Sequence, residues 1–185
     1  MLSQETLDYY QSWKRKQAAN VEDDLSAVFN GFRDLYPTYN RLYNEIPTAL
    51  KATGVVLPKR LEDNQKATKY VVQYIGASNL LTHLSKNNND SDIESIDWIL
   101  EEELFHIKLI QGQSDRNADI QLRAELNSTD AETKAIAILK VIYYVRCNME
   151  HGEKHFEEHQ RLLLQPLTNI LVAVIEQLYE LLSKP

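Results

Sequence analysis

Apolar residues recur along this chain at three- and four-residue steps almost everywhere, which is the signature of amphipathic helices. In 21–36, Val21, Leu25, Val28, Phe29, Phe32, Leu35 and Tyr36 trace one such stripe. Asn20 stands before it and Asp23 and Asp24 fall in its first turn, as a helix N-terminus favours. Pro37 interrupts, so a second short helix is expected through Tyr39, Leu42, Tyr43 and Ile46. Residues 51–60, with Gly54 and Pro58, read as a loop. A longer pattern over 61–86 carries Tyr70, Val71, Tyr74, Ile75, Leu80, Leu81 and Leu84, with Gly76 as a place for close packing or a kink.

The polar run from Lys86 to Ser91 is the clearest linker. Beyond it, Ser91 or Asp92 can cap a helix carrying Ile93, Ile96, Trp98, Ile99, Leu100, Leu104, Ile107 and Ile110, ending near Gly112. Residues 113–129 are polar and fit a loop around a short helix. Ser128-Thr129-Asp130 then opens a strong helix over 130–149. The last helix is expected over 160–183 on Leu163, Leu167, Ile170, Leu171, Val174, Leu178 and Leu182, with Pro166 tolerated in its first turns. No β-type alternation and no internal repeat stand out. The expected fold is an all-α bundle of about five or six helices with a long C-terminal helix, one domain over 1–185. Within it, 61–183 form the core around the segment discussed below, and 1–60 are either part of the bundle or an N-terminal extension.

Composition agrees. Gly and Pro number five each in 185 residues, well under their average joint share of about 12%. No unbroken apolar run of about 18 residues is present to span a bilayer, and the first residues lack the order of a signal peptide. The single cysteine, Cys147, rules out an intramolecular disulfide and fits a reducing compartment, so a cytoplasmic protein is expected. A formal charge of -7 argues against broad, sequence-blind coating of nucleic acid, though not against a small, locally basic site.

The candidate chemistry lies where the last two helices join, from Ile142 to His155. Ala135, Ile138, Leu139, Ile142 and Val145 define a buried stripe that Arg146 continues, four residues after Ile142 and seven after Leu139. An Arg where the stripe asks for an apolar residue is a local rule broken, and such breaks mark functional sites. The plainer reading is that the stripe ends there and the guanidinium reaches solvent or caps the last carbonyls. Gly152 suits a left-handed residue just past a helix end, which leaves His151 near the C-terminus, where the dipole raises an imidazole pKa toward neutrality. Arg with His, and Asn148 as an orienting amide, suffices for metal-free RNA cleavage: His moves protons and Arg stabilises the phosphorane.

Arg146-Cys147-Asn148-Met149-Glu150-His151-Gly152 resembles the R-x(4–6)-H signature of HEPN domains, and Gly152 with Lys154 is similar to the HG-x-K continuation of stand-alone prokaryotic members. The resemblance covers about 135–182 and is general before that. It implies an all-α bundle, commonly homodimeric, in which motifs from two protomers form one cleft. It also implies a metal-independent endoribonuclease of toxin–antitoxin or antiviral defence, acting on RNA without a cofactor. Arg146 and His151 would be the catalytic pair, Asn148 a supporting polar residue and Lys154 a phosphate holder, with an antitoxin as protein partner. Glu150, Glu153, Glu157 and Glu158 make the segment less basic than an RNA cleft prefers. Some HEPN domains are catalytically idle, so a dimerisation, nucleotide-binding or protein-interaction module is the alternative.

Other features carry blander readings. His151, His155 and His159 are spaced by four, but Gly152 interrupts the helix that a shared metal would need, so surface histidines are expected and no metal. Cys147 suits packing, Trp98 suits core or dimer interface, and Glu101, Glu102 and Glu103 suit a solvated helix face.

Overall fold

A computed structural model describes residues 2–19, 25–110, 113–150 and 160–184. The chain is an all-α bundle. Two apolar stripes dominate its interior: α2 (Leu25–Ala52) and α9 (Arg161–Ser183) pack on each other more extensively than any other pair of described elements. Phe32, Leu35, Tyr36, Tyr39, Leu42, Tyr43, Ile46 and Leu50 form the buried face of α2. Leu163, Leu167, Ile170, Leu171, Val174, Leu178 and Leu182 form that of α9. Each such side chain removed from water is worth roughly 1.5–3 kcal/mol before ordering entropy is subtracted.

That burial explains why α2 does not stop at Pro37. Helix breaks were expected there, yet one helix runs through both Pro37 and Pro47. Proline removes one hydrogen bond and strains the preceding turn, at about 3 kcal/mol or more. The apolar stripe keeps its helical period across Pro37, whose ring is exposed, so continuing the helix buries the tyrosines at 39 and 43. Helix α1 (Gln4–Ala19) joins the same core: Tyr10 stacks on Tyr179 of α9 with ring centroids 3.6 Å apart and planes 3° from parallel.

The loop at 53–62 leads into a segment expected as one helix over 61–86. It is instead a short α3 (Asp63–Gln65), a π-helical stretch (Lys66–Tyr70), α4 (Val71–Ile75) and α5 (Ala77–Lys86). The π turn is fixed from outside: the buried Tyr39 hydroxyl donates to the Ala67 carbonyl within it. A side chain reaching into the helical ladder is a recognised cause of such irregularity. Gly76 makes the second break, at φ +86° and ψ 127°, a conformation that side chains with a Cβ avoid. Helix α5 then lies along α9, with a His83 ring nitrogen 3.1 Å from the Ala173 carbonyl.

Asn87 to Asn89 form the tight turn that the polar run predicts, with Asn88 at φ 60°. Helix α6 starts at Asp90, just ahead of the expected cap, and ends at Glu101 rather than near Gly112. The apolar residues beyond it, Phe105 and Ile107, are buried but not helical. They belong to an irregular segment that enters a two-stranded antiparallel pair, β1 (Leu109–Ile110) with β2 (Gln113–Ser114). The polar region 113–129 contains α7 (Arg116–Leu126), capped by the Asp115 carboxylate, which accepts from the Ala118 amide at 3.1 Å. Asp130 likewise accepts from the Thr133 amide at 2.8 Å as α8 (Ala131–Glu150) begins.

Among the described residues, α9 alone has the length and hydropathy of a membrane-crossing helix, and 56% of that window is buried inside the bundle. Trp98, expected in core or interface, is 47% exposed and so is not core. The carboxylates of Glu101 and Glu103 are exposed and pair with Arg123 and Arg116 of α7, at 2.9 and 2.6 Å.

A Cβ at Gly76 would sit 3.1 Å from Asn79 Nδ2 in addition to demanding the disfavoured φ. Gly76→Ala is therefore expected to lose about 1–3 kcal/mol of stability, measured by urea unfolding; an unchanged midpoint would show that the α4–α5 break is not enforced there.

Candidate functional site

Helix α8 carries the first part of the motif, Arg146 to Glu150. Its stripe is buried as its periodicity requires: Ala135, Ile138, Leu139, Ile142 and Val145 are all at most 1% exposed. Arg146 follows and is half-buried. Its guanidinium does not simply run out to water: the Cζ lies 4.9 Å from the centroid of the Tyr36 ring of α2. An arginine over an aromatic face is attracted by the ring quadrupole and gains when the pair is withdrawn from solvent.

Tyr36 begins a row of aromatic rings along one face of α2. Tyr39 meets Tyr36 edge-on at 5.7 Å, and Tyr43 meets Tyr39 edge-on at 5.2 Å. The Tyr43 hydroxyl donates to the Asp63 carboxylate, at 3.1 and 3.2 Å from its two oxygens. Asp63 also pairs with Lys66 at 3.4 Å. Burial pushes the Tyr36 and Tyr43 hydroxyls well above the ordinary phenol range, with the Tyr43 phenol and Asp63, respectively, adding to it. On α8 itself, Tyr143 is pushed up to about 12, by burial first and then by Cys147 and Asp63. Arg146 pulls the other way on all three phenols. The guanidinium is thus the cation that Tyr36, Tyr43 and Tyr143 all feel, a small polar cluster at the junction of α2, α3 and α8.

Asn148 points into a different neighbourhood. It is 4% exposed, and its amide donates to the Ile107 carbonyl at 3.0 Å. This ties α8 to the irregular segment after α6. The same segment is held from its other side by Asp119 of α7, a carboxylate 1% exposed that accepts from the Ile107 and Lys108 amides at 3.1 and 2.9 Å. A His106 ring nitrogen lies 3.2 Å from the second Asp119 oxygen. A buried carboxylate requires such partners, since desolvation is otherwise prohibitive. Lys108 then lies over the Tyr144 ring, 4.6 Å from its centroid. Lys108, Tyr144, Gln121, Glu125 and Lys140 line a small polar cleft between α7 and α8, in which Lys140 pairs with Glu125 at 2.7 Å.

The structure therefore describes two of the four residues singled out in the motif, and places them on different sides of α8. Arg146 faces the tyrosine cluster, and Asn148 faces the anchored segment. His151 and Lys154 lie outside the described residues, as do His155 and His159. Cys147 is half-buried beside Tyr143, and no group of three metal-ligating side chains occurs among the described residues. No family model, curated protein or solved structure matches this chain.

Tyr36, Tyr43, Asp63 and Asp119 were not legible as site or anchor residues. The three- and four-residue spacing of Tyr36, Tyr39 and Tyr43 signals only a buried stripe, and a single Asp in a polar stretch reads as solvated.

Asn148→Ala leaves the Ile107 carbonyl buried without its donor, and is expected to cost about 1–3 kcal/mol, read as a lowered thermal midpoint; a change within error would mean water replaces the amide freely. The tyrosines set an alkaline limit as well. Tyr143 has its folded pKa raised to about 12 from 10.0, so the stability it contributes is complete below pH 10 and is lost as pH rises through about 12. Tyr143→Phe should flatten the fall in melting temperature across that window, and an equally steep fall in the variant would remove Tyr143 as its source.

Proposed function

We propose that this chain is a HEPN-type, metal-independent endoribonuclease in which His151 moves the proton and Arg146 stabilises the phosphorane. The observation that carries the reading is Arg146: a guanidinium held on the Tyr36 ring at 4.9 Å, at the end of the helix that leads directly into His151. A clamp for a developing negative charge gains most when it is fixed before the reaction, because no reorganisation is then needed in the transition state. An arginine withdrawn from bulk water beside an aromatic face has that character. The all-α architecture with a long C-terminal helix following the motif also supports the reading.

In this mechanism the imidazole of His151 takes the proton of a ribose 2′-hydroxyl, or gives one to the leaving 5′-oxygen. The 2′-oxygen attacks the adjacent phosphorus, the P–O5′ bond breaks, and a 2′,3′-cyclic phosphate and a 5′-hydroxyl result. Arg146 offers planar donors to the phosphorane oxygens. A homodimer that brings two motifs together would double the local positive charge, which a chain of net charge -7 otherwise lacks. The cellular role that follows is RNA cleavage in toxin–antitoxin or antiviral defence, with a protein antitoxin as partner.

A second reading is a non-catalytic module of the same fold that binds a nucleotide or a protein. It is favoured by Asn148, whose amide is spent on the Ile107 main chain, a structural use of a residue that the nuclease reading enlists near the substrate.

Cleavage of structured and unstructured RNA with EDTA present distinguishes them. Wild type should cut and His151→Ala should be slower by roughly 10²–10⁴-fold. Equal cutting by both would sink the catalytic assignment, and no cutting by either would favour the module.

A further inference from the structure

We infer that Tyr36 is a positioning residue for Arg146, fixing the guanidinium for charge stabilisation from a helix more than a hundred residues away in sequence. The inference rests on the nuclease reading for its kinetic consequence, but its geometric content stands apart from it. Tyr36 is 3% exposed on the face of α2 that builds the core, so its ring has little freedom to follow a moving partner. Tyr39 braces it edge-on at 5.7 Å and is itself fully buried and tied to the Ala67 carbonyl. The cation therefore rests on a ring held by the bundle core rather than on a surface side chain. The ring supplies the contact, since the guanidinium carbon lies 4.9 Å from its centroid and the buried Tyr36 hydroxyl meets no hydrogen-bond partner among the described residues. Phenylalanine should then substitute and an aliphatic residue should not.

The test uses Tyr36→Phe, Tyr36→Leu, Arg146→Ala and the double variant Arg146→Ala/Tyr36→Leu, each checked for helical content. In single-turnover RNA cleavage, Tyr36→Phe should stay within about 2-fold of wild type. Tyr36→Leu should lower the maximal rate by roughly 3- to 30-fold, the range an aromatic–cation contact supports, with the RNA concentration for half-saturation nearly unchanged. A merely structural role for Tyr36 would lower the folded fraction without this division. Guanidinium ion added at non-denaturing concentration should restore part of the activity of Arg146→Ala, and should restore less in the double variant. Equal rescue of both, or a Tyr36→Leu enzyme as fast as wild type, overturns the inference.

The arginine Nε–H resonance of Arg146 gives a readout that needs neither catalysis nor the leucine variant to fold. It should be shifted by the ring current in wild type and in Tyr36→Phe. A random-coil position in wild type would overturn the placement itself. Loss of all RNA cleavage in wild type together with a ring-shifted Arg146 would instead defeat the nuclease reading and the kinetic role, and leave the contact as a packing feature.

Discussion

The packing of α2 against α9 is the constraint from which the rest of the architecture follows. These two helices contribute the longest buried stripes, and every other described helix is arranged around them or around helices that touch them. Because the apolar stripe of α2 is buried against α9 and the elements beside it, the helix runs through two prolines that would end a solvent-exposed one. The same face carries the tyrosines, so the ring that meets Arg146 and the hydroxyl that reaches Ala67 are by-products of a helix whose register is set by core burial.

The irregular parts of the molecule are held by polar groups that the core cannot supply. Phe105 and Ile107 bury their side chains without a helix, and so their main chain needs other partners. Asp119 provides acceptors for two amides and Asn148 a donor for one carbonyl. The segment after α6 is thereby clamped between α7 and α8, against Asn148 of the motif. Arg146 and Asn148, two positions apart on one helix, consequently meet different surroundings, as side chains about 200° apart around a helix axis must. One residue of the motif works on the aromatic cluster and its neighbour braces the fold.

This division shapes what the site can do. On the nuclease reading proposed above, a guanidinium resting on a core-held ring would be fixed before substrate binds, which suits the stabilisation of a charge that develops only in the transition state. The Tyr36 and Tyr43 phenols, neutral at physiological pH in any case, are held neutral further into the alkaline range by burial.

The sequence by itself determined the all-α class, the long C-terminal helix, the turn at Asn87–Asn89 and the stripe that Arg146 interrupts, because each is written in local periodicity or in residues with strong turn and capping preferences. It also marked Gly76 as a special position. Tertiary structure alone decided the continuity of α2 through Pro37, the π turn opposite Tyr39, and the early end of α6, where apolar spacing continued but burial was met by an irregular segment. It alone decided that Arg146 meets Tyr36 and that Asn148 serves Ile107. The physical reason is the same in each case: the deciding partner lies tens of residues away, so its free energy enters only once the helices are packed, and no spacing within a single segment can encode it.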